Sequence, residues 1–471
     1  MSNFWDFDVW GLFCLIAVLL IALLTANLMK RTIGFLRKSL IPTSVLGGIL
    51  LLIVSTVYNA IAKKPLFDTE FFGGNGGNSL EIITYHMLAL GFIATSLKST
   101  TNKFTKERTK EIFNTGITTV STYLLQGVLG LGITLIVALI VSDFFPAAGV
   151  LLPFGYGQGT GQALNYGSIY ESEYGFVGGR SFGLTVAALG FLSASIGGVI
   201  HLNILKRKKR IVVVPEGERR LSSEEIQADG EIPMNGSMDK ITVQVGFIAL
   251  SYFIVYLIMF GLGLLLPGMR SVIYGFNFLI GVLVATLVKF VLNFLNKKAV
   301  VKRVYTNNFL LTRISNFCFD LMVVAGIAAI RLELIKDYWE VLLILGLVGA
   351  LATYFYNLFV AKTLFKSYAD EQFLMMYGML TGTASTGVIL LREIDGQLTS
   401  PASDNLVYQN FPAIVFGFPM MLLATLAPKQ PYLTLIILAG GFILMNVLLF
   451  RSKIFKRKKA TIDPPPTETE E

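Results

Sequence analysis

Apolar residues along the chain gather into blocks of about 20 divided by short polar stretches, the length of helix that crosses roughly 30 Å of hydrocarbon. The pattern predicts spans at residues 9–29, 39–61, 80–97, 112–142 and 181–205, then 243–266, 271–295, 309–330, 339–361, 405–428 and 432–450. Two stretches break it: 151–167, LLPFGYGQGTGQALNYG, between the fourth and fifth spans, and 374–391, LMMYGMLTGTASTGVILL, between the ninth and tenth. In the first, Gly155, Gly157, Gly159 and Gly161 fall at every second position, alternating with Tyr156, Gln158, Thr160 and Gln162. Such a run is a poor helix, since each Gly costs about 1 kcal/mol relative to Ala. It predicts extended or positive-φ backbone that brings bare N–H and C=O groups close to a ligand.

Irregular backbone survives within hydrocarbon only where protein buries it or where it lines a watered cavity. The expectation is therefore that 151–167 dips into the membrane from outside and 374–391 from inside, so that their tips meet near the middle. Thr381, Gly382, Thr383, Ser385 and Thr386 crowd the second stretch. The plainer alternative is a pair of ordinary loops, or small residues serving close helix packing.

A short similarity, together with matching spacing, interruption and charge orientation, leads to the expectation that the halves of the chain repeat one another; chance likeness between apolar stretches is the alternative. MLALGFIATSLK (87–98) resembles MVVAGIAAIRLE (322–333), with Gly91 opposite Gly326, and each belongs to the third span of its half. With five spans per half and a charged segment between, span one runs opposite to span six, and the halves are inverted copies. Inverted repeats with broken segments in matching positions are how secondary transporters build a midplane site and expose it to each side in turn.

Composition agrees with a membrane location: 54% of residues are hydrophobic and 15% charged, far from the soluble average. With the N-terminus outside and the C-terminus inside, 29 of the 39 Lys and Arg fall on cytoplasmic segments, as orientation rules require. The net charge of +9 follows from basic loops facing anionic lipid, without nucleic-acid binding. The first block shows no small-residue cleavage site and reads as an anchor. Cys14 and Cys318 lack metal-ligand spacing and say nothing of redox compartment. The fold expected is an all-α integral membrane protein of the cell membrane: two inverted-topology repeats of five transmembrane helices, each with a re-entrant loop, plus one extra C-terminal helix. Residues 1–205 form the first repeat, 206–240 a cytoplasmic linker, 241–428 the second repeat, 429–451 the extra helix and 452–471 a disordered cytoplasmic tail.

Several motifs resemble the sodium/glutamate symporter family. IPTSVLGGILLL (41–52) is similar to that family's second span, FCFDLMVVAGIAAIRLEL (317–334) to its eighth, and Gly157-Gln158-Gly159-Thr160 to the Gly-His-Gly-Thr of its first re-entrant loop. Residues 382–387 occupy the place of the second, Thr-rich loop. The likeness in order and spacing runs from about residue 9 to 428. It implies ten core spans in two inverted domains, cation-coupled uptake of an amino-acid carboxylate, and a homodimer. Gln158 replaces the family's His, the second loop lacks its usual Pro, and the eleventh span is additional; these departures leave the substrate open.

Ionisable groups within the membrane are functional candidates by default. Asp320, near Asn316, Ser315 and Asn308 in span eight, suits a hard monovalent cation, and Asn410 in the kinked entry of span ten offers further oxygen; proton carriage or pairing of Asp320 with Arg313 are the alternatives. Thr115, Thr118, Thr119, Thr122 and Gln126 share one face of span four, lining an aqueous path or bonding a neighbouring helix and their own carbonyls. Arg180 and Arg392 are candidate partners for an anion, or interface anchors. His86 reads as a packed group rather than a proton relay. The residues expected to hold substrate are thus 155–162 with Thr381, Gly382, Thr383, Ser385, Thr386 and Arg392, and those for sodium are Asp320, Asn316 and Asn410. No cofactor beyond that ion is expected. A proton-coupled carboxylate transporter is the nearest alternative. A channel is suggested by the Gly-Tyr-Gly at 155–157, but such a filter needs four copies about one axis. An enzyme is disfavoured because no paired membrane carboxylates or nucleophile–base set is present.

Overall fold

Helix follows from apolar segments that satisfy their own backbone, and helix accounts for nearly all of the computed structural model, which describes residues 3–98, 105–208, 226–227, 231–234, 238–300, 303–396 and 400–454. The main elements are α1 (Phe7–Thr32), α2 (Thr43–Ala62), α3 (Gly76–Leu97), α4 (Lys106–Ile140), α5 (Leu151–Tyr174), α6 (Gly179–Arg207), α7 (Lys240–Leu265), α8 (Asn277–Lys297), α9 (Asn308–Ala328), α10 (Trp339–Leu364), α11 (Ala369–Thr381), α12 (Ala384–Arg392), α13 (Pro401–Tyr408), α14 (Asn410–Leu426) and α15 (Pro431–Leu449). Starts are marked where the sequence supplies a cap: Thr105 Oγ1 accepts from Arg108 N and Asn307 Oδ1 from Leu310 N, satisfying amides that an α-helix leaves free. Among the described residues ten helices are long and apolar enough to cross a membrane, and the pair Pro401–Tyr408 and Pro412–Leu426, bent by 46°, makes an eleventh. Exposed Leu24, Leu139, Phe253, Phe290, Phe355 and Ile436 give the bundle the apolar exterior that lipid requires. The tail and most of the linker expected at 452–471 and 206–240 lie outside the described residues.

The helices sort into two packed groups, each drawing on both halves of the chain. In the first, α1–α3 pack with α7–α9. Here α3 and α9 run in opposite directions: Thr95 Oγ1 lies 2.8 Å from Ser315 Oγ, while Gly91, four residues back, faces the Phe319 ring, four residues on. In the second, α4, α6, α10, α14 and α15 surround the two Gly-rich segments. There α15 is held by a polar contact, with Asn446 donating to Ser121 Oγ at 3.0 Å and accepting from the Tyr356 hydroxyl at 2.9 Å.

The expectation of non-helical backbone over 151–167 is corrected. Residues 151–174 are helical except at Gly159, whose φ of 79° and ψ of −171° reverse the chain. A continuous helix would separate residues 154 and 166 by about 18 Å, yet the rings of Phe154 and Tyr166 stack with centroids 4.0 Å apart, and Phe145 meets Tyr170 at 5.3 Å. The segment is a helical hairpin. Its other glycines serve close packing, the alternative named above: a Cβ at Gly155 would lie 2.8 Å from Ala187 N, one at Gly161 2.8 Å from Leu88, and one at Gly157 inside the Tyr123 ring. The propensity cost of helical Gly is offset by neighbours that a side chain would exclude. The second stretch, expected at 374–391, is likewise two helices, α11 and α12, folded back at Gly382 and Thr383 so that Gly378 and Gly387 abut.

Candidate functional site

The two hairpins converge on α6 from its opposite ends. Gly179 of α6 packs on Gly167 and Gly183 on Ala163, both in the first hairpin; Gly197 packs on Tyr377 and Gly198 on Leu390, both in the second. Between them Gly190 touches both, its built Cβ 3.3 Å from Tyr156 Cα and 2.5 Å from the Thr381 carbonyl oxygen. The tips themselves meet: a Cβ on Gly159 would stand 3.3 Å from Thr383 Cγ2 and 3.9 Å from Gly382 O.

Around this junction most of the sequence-predicted residues bond to the protein itself. Tyr156 is fully buried, and its hydroxyl donates to Gly346 O at 2.6 Å and lies 2.9 Å from Ser193 Oγ, tying the first hairpin to α10 and α6. Gly157 O accepts from the Tyr123 hydroxyl at 3.0 Å. Thr160 is buried, donates to Met322 O at 3.4 Å and packs on Gly326, which joins the tip to α9 of the other group. Thr381 donates to Tyr377 O at 2.6 Å. Thr383 and Thr386 form a capping box at the start of α12, with Thr383 N 3.4 Å from Thr386 Oγ1. These groups build the hairpins.

Gln158, Thr383 and Ser385 are only partly buried and lie at or beside the two turns. Gln162 is the unusual member: it is 1% exposed, one helical turn beyond Gly159, and neither Oε1 nor Nε2 has a hydrogen-bond partner. A buried amide left unpaired costs about 1–3 kcal/mol, so this position is suited to a polar solute.

Other candidates lie elsewhere. Arg392 is exposed at the far end of α12, about 12 Å of helix from the tip. Asp320 and Asn316 are exposed on α9, with Asp320 beside Ser44. Ser315 turns to α3, where it donates to Gly91 O at 3.0 Å. Asn410 sits in the second group, where its Oδ1 accepts from Gln409 Nε2 at 2.9 Å. Asn316 and Asp320 are thus four residues apart on α9, while Asn410 belongs to the other helical group. Arg313 lies over the Phe309 ring at 5.1 Å. Arg180 is bound to carboxylates, with Glu81 at 2.8 Å and Glu171 at 3.8 Å. His86 Nδ1 is 2.7 Å from the Tyr252 hydroxyl.

The threonine stripe of α4 bonds to protein. Thr115, Thr118, Thr119 and Thr122 each donate to the carbonyl four residues back, and Thr119 also contacts Gln409 Oε1 at 2.9 Å. Sequence reasoning passed over Thr353 and Asn357, four residues apart in an otherwise apolar block and both buried. Polar residues at that helical spacing inside a span were the available signal. In comparisons with known proteins, no family model matches the chain and no curated protein is significantly similar to it.

Proposed function

We propose that the protein is a secondary active transporter that carries a small carboxylate, of the amino-acid or dicarboxylate class, together with a monovalent cation by alternating access. The observation that carries this reading is the contact of the two hairpin tips, Gly159 against Thr383, midway along α6. Two helices that stop short of crossing, brought tip to tip from opposite directions, leave backbone ends and small polar side chains at a common depth. Helix N-termini there favour an anion and C-termini a cation. On this reading the hairpins are re-entrant, and the two halves of the chain are inverted repeats.

The resemblance noted above favours sodium as the coupling ion and glutamate as one substrate to try first. Gln158 and the unpaired Gln162 amide, which add hydrogen bonds without charge, suit a substrate whose charge is neutralised by helix ends. The two helical groups meet where Thr160 packs on α9, and a shift of one group against the other there would change which side reaches the tips. Coupling follows if the empty and fully loaded forms reorient and half-loaded forms do not.

The test is uptake into liposomes containing the full chain, with glutamate and a panel of dicarboxylates, under an inward sodium gradient or choline. Saturable uptake that collapses when the gradient is dissipated supports the reading. Single-channel currents, or flux indifferent to every cation gradient, would overturn it.

A further inference from the structure

Behind the tip of the second hairpin lies a second set of buried oxygens, contributed by α4, α10 and α11. Gln126 is 0% and Asn357 1% exposed. The orientation of each carboxamide is fixed by its NH2 group. Gln126 Nε2 donates to Leu380 O at 2.9 Å and to Thr353 Oγ1 at 2.8 Å. Asn357 Nδ2 donates to Thr353 O at 2.9 Å and reaches Thr122 Oγ1 at 3.4 Å. A carbonyl oxygen accepts only from a donor, so flipping either amide would set oxygen against oxygen. Gln126 Oε1 and Asn357 Oδ1 are thereby the atoms left over, and neither has a hydrogen-bond partner.

Two buried acceptors without donors, linked through Thr353, each carry the full desolvation penalty of an unmet polar group. The groups that hold the two NH2 groups, Thr122, Thr353 and the Leu380 carbonyl, bring further neutral oxygens to the same two side chains and no formal charge. Oxygen-only donor sets suit hard cations, and neutral carbonyl oxygens suit monovalent ones, whose hydration shell they replace. We infer that Gln126, Asn357, Thr353 and Thr122 form a binding site for a sodium-sized monovalent cation at the back of the second hairpin. An ion there would join three elements, and through Leu380, the residue before Thr381, it would bear on the hairpin tip. The site stands on its own as a binding site; only its part in coupling rests on the transport reading.

The experiment is binding of radiolabelled sodium to the purified full chain in detergent, competed with unlabelled sodium, lithium, potassium and choline. The wild type is expected to bind saturably, with choline failing to compete. Asn357→Leu and Gln126→Met should each raise the half-saturating sodium concentration roughly tenfold or more. If either aggregates on size exclusion, the near-isosteric Thr353→Val, which removes one oxygen at constant shape, is expected to weaken binding in the same direction. Absence of saturable binding to the wild type, or sodium affinity unchanged in all three variants, would overturn the site. Uptake that follows a sodium gradient with the same sodium dependence in wild type and Asn357→Leu would overturn the site's part in coupling and leave the transport reading intact. Sodium binding that survives with no uptake of any substrate would support the site and remove the transport reading.

Discussion

Gly159 is the position at which the hairpin reading is most exposed to experiment. Its φ of 79° and ψ of −171° lie in a region essentially closed to residues with a Cβ, where the strain is of order 1–3 kcal/mol. The added methyl of Gly159→Ala would also stand 3.3 Å from Thr383 Cγ2, a contact a threonine side chain relieves by moving a few tenths of an ångström. Backbone strain is therefore the larger effect. At 1–3 kcal/mol the native turn loses population roughly 5- to 150-fold against any unstrained alternative. The arms are held by packing that the substitution leaves alone, so the tip should move away from Thr383 while the hairpin persists. The expected outcome is a loss of uptake of about tenfold or more with only a modest fall in melting temperature. Gly132→Ala is the control, because its Cβ would meet nothing within 4 Å and Ala is favoured in a helix by about 1 kcal/mol; uptake and folding should be retained. The double variant Gly159→Ala with Thr383→Ser removes the methyl contact but not the strain. Recovery of uptake in that variant, or wild-type behaviour of Gly159→Ala, would refute the argument from backbone conformation.

Three further outcomes are expected. Gly149→Ala should abolish the monodisperse peak on size exclusion, since its Cβ would be driven into the Gly130 carbonyl; overpacking against backbone costs about 1–3 kcal/mol or more. Lys240→Met should lower thermal stability by about 3–5 kcal/mol, because Lys240 Nζ lies 2.7 Å from Glu231 and both side chains are buried; adding Glu231→Gln should recover most of the loss, as measured by a thermal double-mutant cycle. Asn405→Leu should cost about 1–3 kcal/mol by removing the donor to Gln372 Oε1 at 2.9 Å and the acceptor of Arg108 at 3.2 Å, with thermal unfolding as the check.

The parts of the fold written in local pattern were readable in the sequence. Eleven apolar blocks correspond, among the described residues, to ten long helices and one bent pair, because a 20-residue apolar run has few alternatives to helix in lipid. The glycine run was expected to be extended or positive-φ backbone, and only Gly159 is; Gly155, Gly157 and Gly161 are helical. Propensity counted their cost, and tertiary contacts with Ala187, Tyr123 and Leu88 decided their conformation. No local signal carries such contacts. The same limit explains the cation oxygens. Asp320 drew attention as a charge in a span, whereas Gln126 and Asn357, 231 positions apart in sequence, become neighbours only through Thr353. Interleaving of the two halves within each helical group was also invisible, since it depends on which faces meet.

The hairpin turns differ in a way that bears on where a carboxylate would sit. Each hairpin presents the N-terminus of its second arm at the junction, and each such end carries free amides and a partial positive charge. In the second hairpin, the Thr383 side chain accepts from the third residue of α12, and Thr386 reaches back toward Thr383 N. Part of that end is consumed by the protein. In the first hairpin the corresponding position is Gly159, which has no side chain to cap with, and Thr160 donates away toward Met322 O. The amide of Gln162, on the first turn of the same arm, is buried and unpaired. Donors are therefore more available at the first hairpin, where both ends of the Gln162 carboxamide are unpaired, whereas behind the second only acceptor oxygens, those of Gln126 and Asn357, are unmet. An anion at Thr160–Gln162 and a cation beside Leu380 would occupy opposite sides of one contact, between Gly159 and Thr383. On the proposed transport reading, an anion and a cation bound together would add their mutual attraction to what the helix ends supply, a term that neither half-loaded form has and that favours reorientation of the fully loaded form.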